Sequence, residues 1–137
     1  MSSPKVYRVG DIITPWKWTP TELQLRQYAE ASGDYNPIHL DDKYAQKAGL
    51  GGVISHGMLT MAQMGAMLTH WIQDNGYISE FEVGFKKMVR PGDTIHFAGR
   101  IKEVLDNTIQ CELGAHNQEG IEVIFGSAYV TLYPNNH

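Results

Sequence analysis

The sequence predicts an α+β domain: a curved antiparallel sheet of about five strands wrapped around one long helix. From Met58 to Ile72 only Thr60, Gln63, Thr69 and His70 are polar, so a helix there is apolar on nearly every face and needs a wrapping. After it come turn-separated runs that alternate apolar and polar residues with period two, the pattern of half-buried strands. The 137 residues suffice for one sizeable core and are too few for two ordinary domains, so residues 1–137 read as a single domain.

Residues 6 to 18 read as extended, with a turn at Gly10-Asp11 and Val6, Val9, Ile12 and Ile13 among polar residues. Thr19-Pro20-Thr21-Glu22 marks a helix start, with Thr19 as N-cap, Pro20 at the first position and Glu22 reaching back to the cap. Leu25, Tyr28, Ala29 and Ser32 follow at helical spacing, and Gly33 stops the helix. Asp41-Asp42 reads as the N-cap of a short helix through Lys47, with Tyr44 and Ala48 inward. Gly49 to Gly52 turns the chain, and Ser55 or His56 starts the long helix. Within it Met58, Met61, Met64 and Met67 read as core filling, and Gly65 and Ala66 as points of close backbone approach.

Phe81, Val83 and Phe85 alternate in a first strand of the second half, and Arg90-Pro91-Gly92-Asp93 turns into another from Thr94 to Val104. Asp106-Asn107 is a hairpin turn; Ile109, Cys111, Leu113 and Ala115 alternate beyond it; Asn117 to Gly120 turns into a final strand from Ile121 to Leu132. Linked in succession these runs make a meander, to which the N-terminal stretch adds one more strand.

Composition narrows the function classes. A net charge of −4 argues against a nucleic-acid binder. Cys111 is the sole cysteine, which permits neither an intrachain disulfide nor a cysteine metal cluster and points to a reducing, cytoplasmic setting. The first twenty residues lack the apolar core of a secretory signal, and no apolar run reaches the length of a membrane span, so neither is expected.

The chemistry concentrates in residues 33 to 59. Asp34 and His39 place a carboxylate and an imidazole on one loop that Pro37 stiffens, the kind of pair that moves protons. An Asx-turn closing the helix explains Asp34 or Asn36 taken alone, but a turn needs no imidazole. His39, Asp41 and Asp42 make a poor metal set, since no second His or Cys stands at helical spacing; no metal or other cofactor is expected. His56 reads either as a substrate contact or as a buried histidine bonded to backbone at the helix start. His70, late in the helix, reads as structural or exposed.

Ala31-Ser32-Gly33-Asp34-Tyr35-Asn36-Pro37-Ile38-His39 resembles the hydratase motif of MaoC-like proteins, and Ser55-His56-Gly57-Met58-Leu59 resembles the start of that family's central helix. The family comprises (R)-specific enoyl-CoA hydratases and (3R)-hydroxyacyl-ACP dehydratases with hot-dog folds. The resemblance implies that Asp34 and His39 are the catalytic pair, that Asn36 orients the loop, and that the Gly57 amide receives the thioester oxygen, with Ser55 and His56 beside the substrate. It implies an acyl-CoA or acyl-ACP substrate and a homodimer or a heterodimer with a related subunit, while charge and the lack of an apolar span leave no nucleic-acid or membrane partner expected. Some relatives have a hydroxyl residue near Gly65; small residues at Gly65 and Ala66 would admit a longer acyl chain. Lys86, Lys87 and Arg90 read either as contacts to carrier phosphates or as solvated strand-end charges. A hot-dog thioesterase and a non-catalytic acyl-binding subunit are the competing functions, disfavoured by the Asp-x-Asn-Pro-x-His spacing.

Overall fold

A computed structural model describes residues 5 to 134. In chain order the elements are β1 (Ile12–Trp18), α1 (Glu22–Ser32), α2 (Asp42–Lys47), α3 (Gly57–Ile72), β2 (Gly76–Phe85), β3 (Ile95–Leu105), β4 (Thr108–His116) and β5 (Glu122–Leu132). One antiparallel sheet of five strands packs on α3.

The helix buries Met64, Met67, Leu68, Trp71 and Ile72, a set at helical spacing, against Phe97, Ile101, Ile109, Cys111 and Val130 of the sheet. Fully burying each large apolar side chain contributes roughly 1.5–3 kcal/mol, so this face dominates the core. The opposite face is open: Met58 is 59% exposed, and Met61 and Gly65 are half-buried. The expectation of a helix buried all round is thus corrected, because a single sheet covers a single face. Of the four methionines, Met64 and Met67 alone fill the core completely.

The strand order is β1-β3-β4-β5-β2, which corrects the simple meander. β3, β4 and β5 do follow one another through tight turns, but β2 pairs antiparallel with β5 at the far edge. Residues 86 to 94 are therefore a crossover spanning the end of the sheet, not a hairpin. Its start is held by the amides of Lys86 and Lys87, which both donate to the Val123 carbonyl at 2.9 and 3.2 Å.

Two helix details also differ from expectation. The N-cap of α1 is Thr21, not Thr19: its hydroxyl accepts from the Gln24 amide at 3.1 Å, and Gln24 Oε1 accepts from the Thr21 amide. Gln24 Oε1 also accepts from Trp18 Nε1 at 3.2 Å, so the later box is locked to β1 in a way the earlier one could not be. In α2 the inward residue is Ala45, whereas Tyr44 and Ala48 face solvent.

Ala45 belongs to a second, smaller cluster with Leu25 and Val53, onto which Leu50 and Leu59 pack. Leu59 touches both clusters and joins the two helices and their loops to the main core. Leu25 is completely buried there. Leu25→Ala is expected to lower the unfolding free energy by about 3 kcal/mol, measured by urea denaturation. A change below about 1 kcal/mol would show that the small cluster does not hold the loop layer.

Candidate active site

Gly33, at φ 78°, ends α1 and lets the chain reverse into the loop. Asp34 Oδ1 then accepts the Asn36 amide at 3.2 Å, and Asn36 Oδ1 accepts the Ile38 amide at 3.2 Å. These consecutive Asx-turns feed one tight helical turn, Pro37–His39, which sets the direction of the His39 ring. The turn occupies only one oxygen of Asp34. The other, Oδ2, lies 4.0 Å from His39 Nε2.

The other nitrogen of that ring, Nδ1, lies 2.7 Å from the Ile54 carbonyl. A carbonyl only accepts, so Nδ1 carries the proton, and in the neutral ring Nε2 presents a lone pair. Nε2 and a carboxylate oxygen cannot bond each other directly, since both are acceptors. A water about 2.8 Å from each would subtend about 90° across the gap, close to its own H–O–H angle, and could donate to both.

His56 stacks on His39 with ring centroids 3.8 Å apart and an interplanar angle of 24°, and Tyr28 flanks His56 at 4.8 Å. His56 Nε2 donates to the Asp34 carbonyl at 3.1 Å, tying the loop to the head of α3. Burial pushes its pKa below the usual histidine range, partly offset by the bond to the Asp34 carbonyl. His56 Nδ1 is buried with no partner among the described residues, so a proton placed there would lack an acceptor.

A cavity of about 290 Å³ opens in front of His39. Ser55, Gly57, Thr60, Phe85 and Val123 line it with His39. Gly57 is the first residue of α3, and its amide has no acceptor among the described residues. A free N–H at the positive end of a sixteen-residue helix is a ready receptor for developing negative charge. A Cβ at Gly57 would stand 3.3 Å from the Phe85 ring, so the glycine also keeps that wall close.

His39, Ser55 and Gly57 share the cavity lining, whereas Asp34 and Asn36 are not part of it; Asp34 is brought to the site through its approach to His39. The Asp34 side chain is 49% exposed against 9% for His39. Of the two readings of His56, the structure has the buried histidine bonded to backbone, and the residue is not among those lining the cavity. Gly65 and Ala66 do not line the cavity either; the Phe81 ring lies 3.4 Å from where a Gly65 Cβ would be, so that smallness seats an aromatic ring instead of an acyl chain. Asp41 caps α2 through the Tyr44 amide, and Asp42 accepts from the Val53 amide and Gln46 Nε2, so both carboxylates are occupied. Lys86 pairs with Glu122 at 2.8 Å; with Lys87 it lies on the cavity wall, while Arg90 turns away to the Leu50 and Gly52 carbonyls.

Among the described residues one trio of metal-ligand types gathers: Asp34, His39 and His56, with one ligand atom from each within 4.8 Å. Imidazole lone pairs lie in the ring plane, and two nearly parallel stacked rings point theirs side by side instead of converging on an ion. The sequence offered no sign of Ile54, whose part is played by a backbone carbonyl, or of Phe85 and Val123, which the pairing of β2 with β5 brings to the wall.

Residues 10–121 match the family model described as MaoC like domain. The chain is 35% identical over 107 residues to a fatty acid synthase beta subunit from Cochliobolus carbonum, covering 76% of this chain and 5% of that subunit. It is 32% identical over 108 residues to a 3-hydroxybutyryl-CoA dehydratase from Methylorubrum extorquens, covering 77% of this chain and 68% of that one. Among solved structures, an unliganded R-hydratase from Pseudomonas aeruginosa superposes with a TM-score of 0.86 at 27% identity, covering 93% of this chain and 83% of that chain. The five-strand sheet on a long helix is the hot-dog fold.

The state of His56 has a consequence for stability. Unfolded, a histidine takes its proton near pH 6.5; folded, His56 stays neutral to lower pH. The unfolded chain binds that proton first, so the stabilisation is complete above about pH 6.5 and declines as pH falls below it. Between about pH 7.5 and about pH 5.5 the wild-type unfolding free energy in urea is expected to fall more than that of His56→Gln. Equal falls would contradict the neutral, buried assignment.

Proposed function

This chain belongs to the MaoC-like domain family, and from that premise we propose that it reversibly hydrates a trans-2-enoyl thioester to a (3R)-3-hydroxyacyl thioester. That is a hydro-lyase reaction of fatty-acyl or polyketide metabolism. The observation that carries the reading is the 4.0 Å distance between His39 Nε2 and Asp34 Oδ2, two acceptors close enough for one water to donate to both.

In hydration the water gives its hydrogens toward the pair while its oxygen attacks C3. The π electrons of the C2–C3 bond move toward the thioester oxygen, which the Gly57 amide receives as enolate charge grows. C2 then takes back a proton through the pair, so the net change is addition of H and OH. Dehydration runs the same steps in reverse. Because interacting groups titrate together, the protons are assigned to the pair and not divided between its members. Asn36 holds the loop, His56 holds the Asp34 backbone, and Ser55 lines the approach.

The carrier is CoA or acyl carrier protein, and Lys87, exposed on the cavity wall, is placed to meet its anionic part. A second subunit, identical or related, would cover what one chain leaves open: the unpaired edge of β2 and the face of α3 that shows Met58 and Met61. Among the described residues no helix is long and apolar enough to cross a membrane. Cys111, whose thiol burial pushes up to about 12, is free and unreactive in the core, and we place the protein in the cytoplasm.

Asp34→Asn and His39→Gln are each expected to lower turnover of crotonyl-CoA by at least about 10²-fold, followed as loss of the conjugated-thioester absorbance, with the circular dichroism unchanged. A folded variant that turns over near the wild-type rate would remove that residue from its assigned part.

A further inference from the structure

Residues 50 to 55 link α2 to α3 as a strap with neither helix nor strand. It carries the Ile54 carbonyl that selects the His39 tautomer, and it runs into the Gly57 amide. Its approach is rich in glycine: Gly49, Gly51 and Gly52 have φ of 82°, 76° and 144°, and glycine leaves such conformations more easily than any other residue. The strap is held from outside. On one side the Ile54 amide donates to the Ile38 carbonyl at 3.0 Å and the Val53 amide to Asp42 Oδ1 at 3.2 Å. On the other the Ser55 amide donates to the Val89 carbonyl at 2.7 Å.

At its start the Leu50 amide donates to the Ala45 carbonyl at 2.9 Å, and Leu50 and Val53 pack with Leu25 and Ala45. A further tie is Arg90. Its guanidinium donates to the Leu50 carbonyl and, at 3.2 Å, to the Gly52 carbonyl. Among the described residues no carboxylate pairs with it, so a half-buried charge is committed to main-chain oxygens. The rigid fork of donors on arginine fits two carbonyls at once, which the single ammonium of lysine does less well. Charge-assisted bonds of this kind are also stronger than neutral ones.

We propose that Arg90 is a positioning residue: by gripping the Leu50 and Gly52 carbonyls it holds the strap so that Ile54 keeps the proton on His39 Nδ1 and the Gly57 amide faces the cavity. This rests on the reading of Asp34 and His39 as the reacting pair. Arg90 touches neither of them and acts through the strap. When the strap drifts, His39 exchanges between tautomers, and the ring protonated at Nε2 no longer accepts from the water. The competent fraction falls, so kcat drops while KM changes little.

The test combines nitrogen chemical shifts of His39 in ¹⁵N-labelled protein with steady-state hydration kinetics for wild type, Arg90→Gln and Arg90→Lys. Wild type is expected to show one neutral tautomer, protonated at Nδ1. Arg90→Gln is expected to show both tautomers, with kcat lower by about tenfold to about 10²-fold and KM within about twofold. Arg90→Lys should fall between. Unchanged shifts in Arg90→Gln with kcat within about twofold overturn the proposal, as does a rise in KM alone, which would make Arg90 a carrier contact. Should Arg90→Gln fail to fold, Arg90→Lys decides: wild-type shifts and turnover overturn the proposal, mixed tautomers and lower kcat support it. Because the shifts need no turnover, mixed tautomers in a protein whose wild type hydrates no enoyl thioester would refute the reaction and leave the strap argument intact.

Discussion

The 2.7 Å hydrogen bond between His39 Nδ1 and the Ile54 carbonyl is the constraint on which the site depends. It decides which ring nitrogen can accept a proton, and so whether the space beside Asp34 is bounded by two acceptors or by a donor and an acceptor. A typical bond of this kind contributes only about 1 kcal/mol net, so it cannot hold alone. It persists because both of its ends are fixed independently. The Asx-turns of Asp34 and Asn36 fix the ring, and the strap is fixed by Ile38, Val89 and Arg90. His56 closes the arrangement by stacking on His39 while holding the backbone of Asp34.

The site lies where two cores meet. The large cluster between α3 and the sheet positions the head of the helix, and with it the Gly57 amide. The small cluster of Leu25, Ala45 and Val53 positions the loops that carry Asp34 and His39. Leu59, packed on both, couples the two layers. The end of β2 and the crossover that follows it then wall the cavity with Phe85, Met88 and Val89, while the Val123 carbonyl anchors the crossover's start. Placing reactive groups on loops braced by such packing suits chemistry that tolerates little displacement.

How much of this was legible in the sequence follows the range of each interaction. The strands, the long helix and the Asp34 to His39 loop are local patterns of period, proline and glycine, and the structure places them close to where those patterns put them. The α1 cap lies two residues beyond Thr19 because Thr19 and Thr21 both carry capping chemistry, and the contact from Trp18 to Gln24 favours the second. The position of β2 beside β5 was hidden, since alternation identifies a strand without naming its neighbour. Arg90 read as a solvated charge or a phosphate contact because its partners are main-chain carbonyls, and every residue has one. The same holds for Ile54.

The central claim is that one water, held by Asp34 and His39, adds to C3 of an enoyl thioester. Its most direct test is to incubate the purified protein with a trans-2-enoyl-CoA in ¹⁸O-labelled water and analyse the product by mass and chirality. A (3R)-3-hydroxyacyl-CoA carrying one heavy oxygen at C3 is predicted. Unchanged enoyl-CoA, or a free acid bearing the label in its carboxylate, would contradict the account.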